Sequence, residues 1–115
     1  MKVIIAGSRT IDDYERVLTA VNNSQFVITE VVSGLARGVD QLGVRYANAQ
    51  QLPCAKFPAD WELQPRAAGY LRNLLMANYA DALIAVWDGH TRGTKHMIDT
   101  MVKLGKPTYV DQSND

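Results

Sequence analysis

Ser33-Gly34-Leu35-Ala36-Arg37-Gly38-Val39-Asp40 follows an apolar, β-branched run (Val27, Ile28, Val31, Val32) and leads directly into Val39, Leu42, Tyr46 and Ala49, which share one helical face. The stretch is therefore a strand-loop-helix junction. The first N–H groups of a helix have no partner inside it, and glycines let a ligand come close to them, so such a loop is a candidate anion cradle.

Toward the N-terminus the same unit occurs once more. Val3-Ile4-Ile5-Ala6 is a short strand stopped by Gly7-Ser8-Arg9-Thr10; Asp12-Asp13 supply capping carboxylates, and Tyr14, Val17, Leu18 and Val21 fall at helical spacing before Asn22-Asn23-Ser24. The second strand is expected from Val27 to Val32. Toward the C-terminus, Pro53 and Pro58 border a short third strand, Cys54 to Phe57, where prolines remove no ladder bond. Asp60 to Pro65 is a polar loop, and Leu71, Leu74, Leu75 and Asn78 mark a third helix ending near Tyr79-Ala80. Ala82-Leu83-Ile84-Ala85-Val86-Trp87 is apolar without alternation, as a strand buried on both faces of a parallel sheet requires. Asp88 to Thr94 opens a fourth helix carrying Met97, Ile98, Met101, Val102 and Leu104; Gly105 and Pro107 end it, and Thr108-Tyr109-Val110 is a fifth strand before a polar tail.

Strands alternating with helices imply right-handed crossovers, hence a Rossmann-like doubly wound α/β fold with five parallel strands in the order 3-2-1-4-5, in one domain. The chain then reverses between strands one and four. Ligands lie in the crevice at the carboxyl ends of such strands, where the Gly7, Ser33 to Asp40 and Asp88 to Thr94 loops all emerge.

At 115 residues the chain has no room for a separate substrate domain. Twelve basic and twelve acidic residues cancel, which removes a global electrostatic case for nucleic acid or an anionic membrane. One cysteine, Cys54, allows no intramolecular disulfide and no multi-cysteine metal site, in keeping with a cytoplasmic setting. No apolar run approaches the ~20 residues of a membrane span, and no leader peptide is visible.

Gly7-Ser8-Arg9 reads either as a turn whose hydroxyl and guanidinium grip a phosphate or as a plain strand end. In the second loop Gly34 and Gly38 flank Arg37 at a helix start, with Asp40 set against the helix dipole. Gly93-Thr94 starts the fourth helix with Asp88, Gly89 and Arg92 nearby; Asp88 is either a ribose ligand or a cap. Asp60-Trp61 reads as surface or as a lid whose indole covers a base. Neither G-x-G-x-x-G nor G-x-x-x-x-G-K-[ST] occurs, so a standard dinucleotide site or ATPase is not expected. His90 and His96 lack a carboxylate at ligand spacing and read as surface histidines; no metal or cofactor is expected. No serine has a visible histidine-acid relay or a G-x-S-x-G elbow.

Taken together, Gly7-Ser8-Arg9, Ser33 to Asp40, Phe57-Pro58-Ala59-Asp60-Trp61, Arg66-Ala67-Ala68-Gly69, Arg72-Asn73, Ala80-Asp81-Ala82-Leu83-Ile84 and Arg92-Gly93-Thr94 closely resemble the YspA/YpsA-related branch of the SLOG superfamily. The resemblance implies a Rossmann-like nucleotide-binding domain akin to Smf/DprA and Lonely Guy proteins. It also implies a homodimer, since relatives commonly self-associate. Lonely Guy enzymes split nucleoside monophosphates with an arginine and a glutamate following a Gly-Gly-x-Gly-Thr loop. Here Lys95-His96-Met97 follows Gly93-Thr94, and the nearest acid is Asp99, a turn further on. Hydrolysis through an oxocarbenium-like state needs a nearby carboxylate. The expectation is therefore non-catalytic binding or sensing of a nucleotide-derived ligand, such as a nucleotide-sugar phosphate or an ADP-ribose-like molecule. Its ligand residues would be Gly7, Ser8, Arg9, Ser33, Gly34, Ala36, Arg37, Gly38, Asp40, Asp60, Trp61, Arg72, Asn73, Asp88, Gly89, Arg92, Gly93 and Thr94. Phosphoribohydrolase activity and, as in Smf/DprA, single-stranded DNA binding are the alternatives. Pro65 and Tyr70-Leu71 depart from the relatives' usual glycine and glycine-proline.

Overall fold

Asp13 caps the first helix by accepting from the Glu15 amide at 3.0 Å, and from that start strands and helices alternate without exception. The computed structural model describes residues 1–63 and 65–113; Gln64 of the polar loop and the last two residues of the tail lie outside it. The elements are β1 (Lys2–Gly7), α1 (Tyr14–Ser24), β2 (Glu30–Ser33), α2 (Val39–Ala49), β3 (Cys54–Lys56), α3 (Ala68–Tyr79), β4 (Ala82–Trp87), α4 (Arg92–Lys103) and β5 (Thr108–Gln112).

All neighbouring strands pair in parallel, in the order β3-β2-β1-β4-β5. Alternation along β1 divides the core. Val3 and Ile5 pack with Val17 and Ala20 of α1 and Val39 and Ala47 of α2, while Ile4 and Ala6 pack with Met76 and Ala77 of α3 and Met97 and Met101 of α4. Burial of β1 and β4 on both faces explains why neither shows a polar alternation. The reversal of strand order falls between β1 and β4, whose carboxyl ends form one crevice with the start of α2 and α4. No helix among the described residues is long and apolar enough to cross a membrane.

Two strand limits need correction, and the third helix shows its buried side. The second strand begins at Glu30, not Val27, because the β1 ladder starts with Lys2 opposite Glu30; Val27 is 74% exposed and bonds the Met1 amino group through its carbonyl. The third helix is where its leucines suggest, but Leu71, Leu74 and Leu75 face outward, and its buried side is Ala68, Asn73, Met76 and Ala77. The fifth strand continues to Gln112, with Asp111 and Gln112 opposite Val86 and Trp87.

Candidate functional site

Tight packing forces the β2–α2 loop into one shape. Gly38 has φ +76°, and a Cβ there would lie 2.4 Å from the Ser8 carbonyl oxygen, so only glycine fits. The Val39 amide donates to that same carbonyl at 3.3 Å. Ser33 Oγ accepts from the Leu35 amide at 3.2 Å and donates to the Asp40 carbonyl at 3.1 Å; Asp40 Oδ2 accepts from the Ala36 amide at 3.2 Å. Gln41 Nε2 holds the Leu35 carbonyl at 2.9 Å, which secures Leu35 at φ +65°. Two of the loop amides that the sequence offers to an anion, those of Leu35 and Ala36, are thus engaged internally.

Asp40 is nearly fully buried, and burial raises its pKa from 3.8 to about 6, against the Ala36 amide, the Arg72 charge, the Gly7 amide and Arg9. It is the one buried acid bordering the crevice cavity among the described residues.

At the neighbouring strand ends, Ser8 Oγ is wholly buried, accepting from the Asp88 amide at 3.0 Å and lying 3.1 Å from Thr91 Oγ1. The Asp88 carboxylate takes the His90 amide at 2.7 Å and both the Thr91 amide and hydroxyl at 2.8 Å, which holds its pKa down at about 2. Asp88 therefore braces the entry to α4. The Thr91 hydroxyl donates to Asp88 and makes no capping bond to α4, so the first-turn amides at Gly93 and Thr94 have no side-chain acceptor at the helix start. Nothing lies within 4 Å of where a Gly93 Cβ would be.

On α3, Arg72 Nη1 donates to the Gly34 carbonyl and its Nε to Asn73 Oδ1 at 3.1 Å. Asn73 Nδ2 bonds the Gly93 carbonyl at 3.1 Å and faces His96 Nδ1 at 3.2 Å. Burial pushes the Arg72 pKa down, opposed by Asp40.

These groups surround a cavity of about 240 Å³ at the crevice. Gly7, Arg9, Ala36 and Asp40 form one wall, Arg72, Asn73 and Met76 another, Thr91, Gly93, Thr94 and Met97 the floor, and Trp61, Arg66, Gly69 and Tyr70 the rim. A second cavity of about 290 Å³ adjoins it, lined by Gly34, Leu35, Arg37, Pro58 and Ala59 and sharing Arg9, Ala36, Trp61 and Arg72 with the first. The Arg9 guanidinium sits 5.9 Å from the centre of the Trp61 ring between the two.

The structure thus gathers Gly7, Arg9, Gly34, Ala36, Arg37, Asp40, Trp61, Arg72, Asn73, Gly93 and Thr94 around two cavities that share part of their lining. Ser8, Ser33 and Gly38 stand behind them as braces. Asp60, Asp88, Gly89 and Arg92 border neither cavity; Asp60 accepts from the Leu63 amide at 3.1 Å. Thr91, Gly69 and Tyr70 are additions. Arg66 and Gly69 sit in a motif visible in the sequence, whereas Tyr70 stood out there only as a departure from the relatives' usual glycine.

A family model described as the YspA, cpYpsA-related SLOG family matches residues 1–63, the half of the chain that holds β1, the β2–α2 loop and Trp61. The chain is also 34% identical over 116 aligned positions to the Gene 61 protein of Mycobacterium phage D29, an alignment covering 92% of each. The chain belongs to the YspA, cpYpsA-related SLOG family.

Proposed function

We propose that the crevice binds a nucleotide-derived ligand of two lobes joined by phosphates, of the ADP-ribose class, and does not cleave it. Membership of the SLOG family is consistent with a nucleotide-related role. The observation that carries the reading is the pair of adjoining cavities sharing Arg9, Trp61 and Arg72. A mononucleotide fills one. A dinucleotide-like ligand spans both, with its phosphates at the shared guanidiniums and the open α4 amides, where charge-assisted bonds are strongest. Binding without cleavage is favoured by Asp99, which pairs with Lys95 at 2.6 Å on the solvent side of α4, both side chains being about 60% exposed. No carboxylate follows Gly93-Thr94 on α4 into the cavity, and Asp40, the acid that does border it, is turned to the Ala36 amide.

A thermal-shift panel of AMP, ADP, ADP-ribose and inorganic phosphate tests this. ADP-ribose is expected to stabilise most, by about 2.7 kcal/mol at a hundredfold excess over its Kd. Gly93→Leu, filling empty space on α4, is expected to abolish the shift with the fold retained. Equal shifts for AMP and ADP-ribose would remove the two-lobed reading, no shift would remove nucleotide binding, and release of free adenine would replace binding with phosphoribohydrolase action.

The family's tendency to self-associate finds a candidate surface on α3. Leu71, Leu74 and Leu75 form an exposed apolar face with no charged side chain among them, so two copies meet there without repulsion. Light scattering is expected to report a dimer that Leu75→Glu converts to monomer; a monomeric unmodified chain rejects this.

A further inference from the structure

Asn73 has one permitted orientation. Its Oδ1 faces Arg72 Nε, which can only donate, at 3.1 Å; its Nδ2 faces the Gly93 carbonyl, which can only accept, at 3.1 Å. The second hydrogen on Nδ2 then points to His96 Nδ1 at 3.2 Å, and that nitrogen has to present a lone pair. The chemistry of the partners therefore assigns His96 as a neutral imidazole carrying its proton on Nε2. Its ring lies 4.6 Å from that of Tyr70, which forms part of the cavity rim.

We propose that His96 is a positioning residue of the anion site: by accepting from Asn73 as a neutral imidazole, it locks the amide that aims the Arg72 guanidinium between the Gly34 carbonyl and the shared cavity wall. The functional consequence rests on the anionic-ligand reading above; the network does not. His96 was unremarkable in the sequence because its partners come from α3, far along the chain.

Protonation of His96 sets N–H against N–H. Asn73 cannot answer by turning over, since that would set its amide hydrogens against Arg72 Nε–H and its oxygen against the Gly93 carbonyl. The groups facing the ring are Tyr70 and Asn73 from α3, with Arg72 beyond, and on α4 Asp99, itself paired with Lys95. Burial lowers the His96 pKa, with Asp99 pulling it back, so the neutral form prevails at neutral pH.

Nitrogen-15 NMR on the whole chain tests the assignment without knowledge of the ligand. At pH 7.5 the long-range spectrum of His96 is expected to show the Nε2–H tautomer, and Arg72 Nε–H is expected to exchange slowly and to change on acidification with the midpoint of His96. His96→Asn, which keeps an acceptor near the Nδ1 position, is expected to preserve slow exchange. His96→Leu is expected to speed it at least tenfold and to weaken inorganic phosphate binding about tenfold. An Nδ1–H tautomer, or identical Arg72 exchange in His96→Leu, overturns the proposal. If His96→Leu fails to fold, the tautomer and the shared midpoint in the unmodified chain decide. If the NMR results hold while neither phosphate nor ADP-ribose binds, the positioning role stands and the ligand reading falls.

Discussion

Asp40 is a buried acid of the site whose carboxyl is held well above its ordinary range by burial. Its native pKa of about 6 exceeds the ordinary 3.8, so the folded chain holds the proton more tightly than the unfolded one. Its contribution is most favourable below pH 3.8 and is lost as pH rises through about 6, a difference of about 3 kcal/mol at ~1.4 kcal/mol per pH unit. Asp40→Asn keeps an oxygen for the Ala36 amide and removes the titration. Denaturant unfolding of the two chains is expected to show the unmodified one gaining on the variant by up to that amount as pH falls from 7 to 4; a constant difference would contradict the assignment. An anion bound beside Asp40 also favours its protonation, so binding is expected to take up a proton near pH 6. The sequence placed Asp40 at the helix start, but its inward turn to Ala36 could not be read there, because helix dipole and loop amide compete for one carboxylate and only packing chooses.

At the level of elements, α3 is joined to the rest of the molecule at both ends. Its start meets the β2–α2 loop through Arg72, and its end is held by Lys106, whose Nζ donates to the carbonyls of Ala77 at 2.6 Å and Ala80 at 2.8 Å. Those carbonyls have few other partners at a helix end, and a cation there also suits the dipole. Lys106→Met keeps the aliphatic stem and is expected to cost about 1–3 kcal/mol. Hydrogen exchange should localise the loss to the last turn of α3; uniform loss across the sheet would point to another cause. The apolar spacing of α3 identified a helix, but the leucines that revealed it face outward. Leucine marks a helix by propensity as readily as by burial, and Met76 and Ala77 reach the sheet because Arg72 and Asn73 must point into the crevice.

For the whole molecule, strand order was legible because β4 is apolar on both faces and the glycine-bearing loops after β1, β2 and β4 each precede a helix. Strand limits were less so: register against β1, not residue type, decides that Val27 stays outside the sheet. The site was legible as a set of loops converging on one edge, but not as two cavities, since Trp61 comes from a loop without periodicity and Tyr70 from the first turn of α3, where spacing does not tell which side faces the crevice. Leu83 pairs with Ile4 and is wholly buried on the α3 and α4 side, so Leu83→Ala is expected to cost 2–5 kcal/mol by the usual ~24 cal/mol per Å³ of cavity. Leu75→Ala, at a position 60% exposed, is expected to stay within about 0.5 kcal/mol in the monomer. Equal losses in chemical denaturation would mean the outer face of α3 is covered within the monomer.

The three-residue β3 between Pro53 and Pro58 has one more effect. An outermost strand exposes unpaired backbone groups that can template another chain, and in a parallel sheet buried on both faces that rim is the main route to runaway stacking into fibrils. Here the rim is three residues long, bounded by residues that lack an N–H and ending in a lysine. The β3 side of the molecule thus offers another chain little to template on, whereas β5 at the opposite rim is longer, with Asp111 paired to Arg16 near its end.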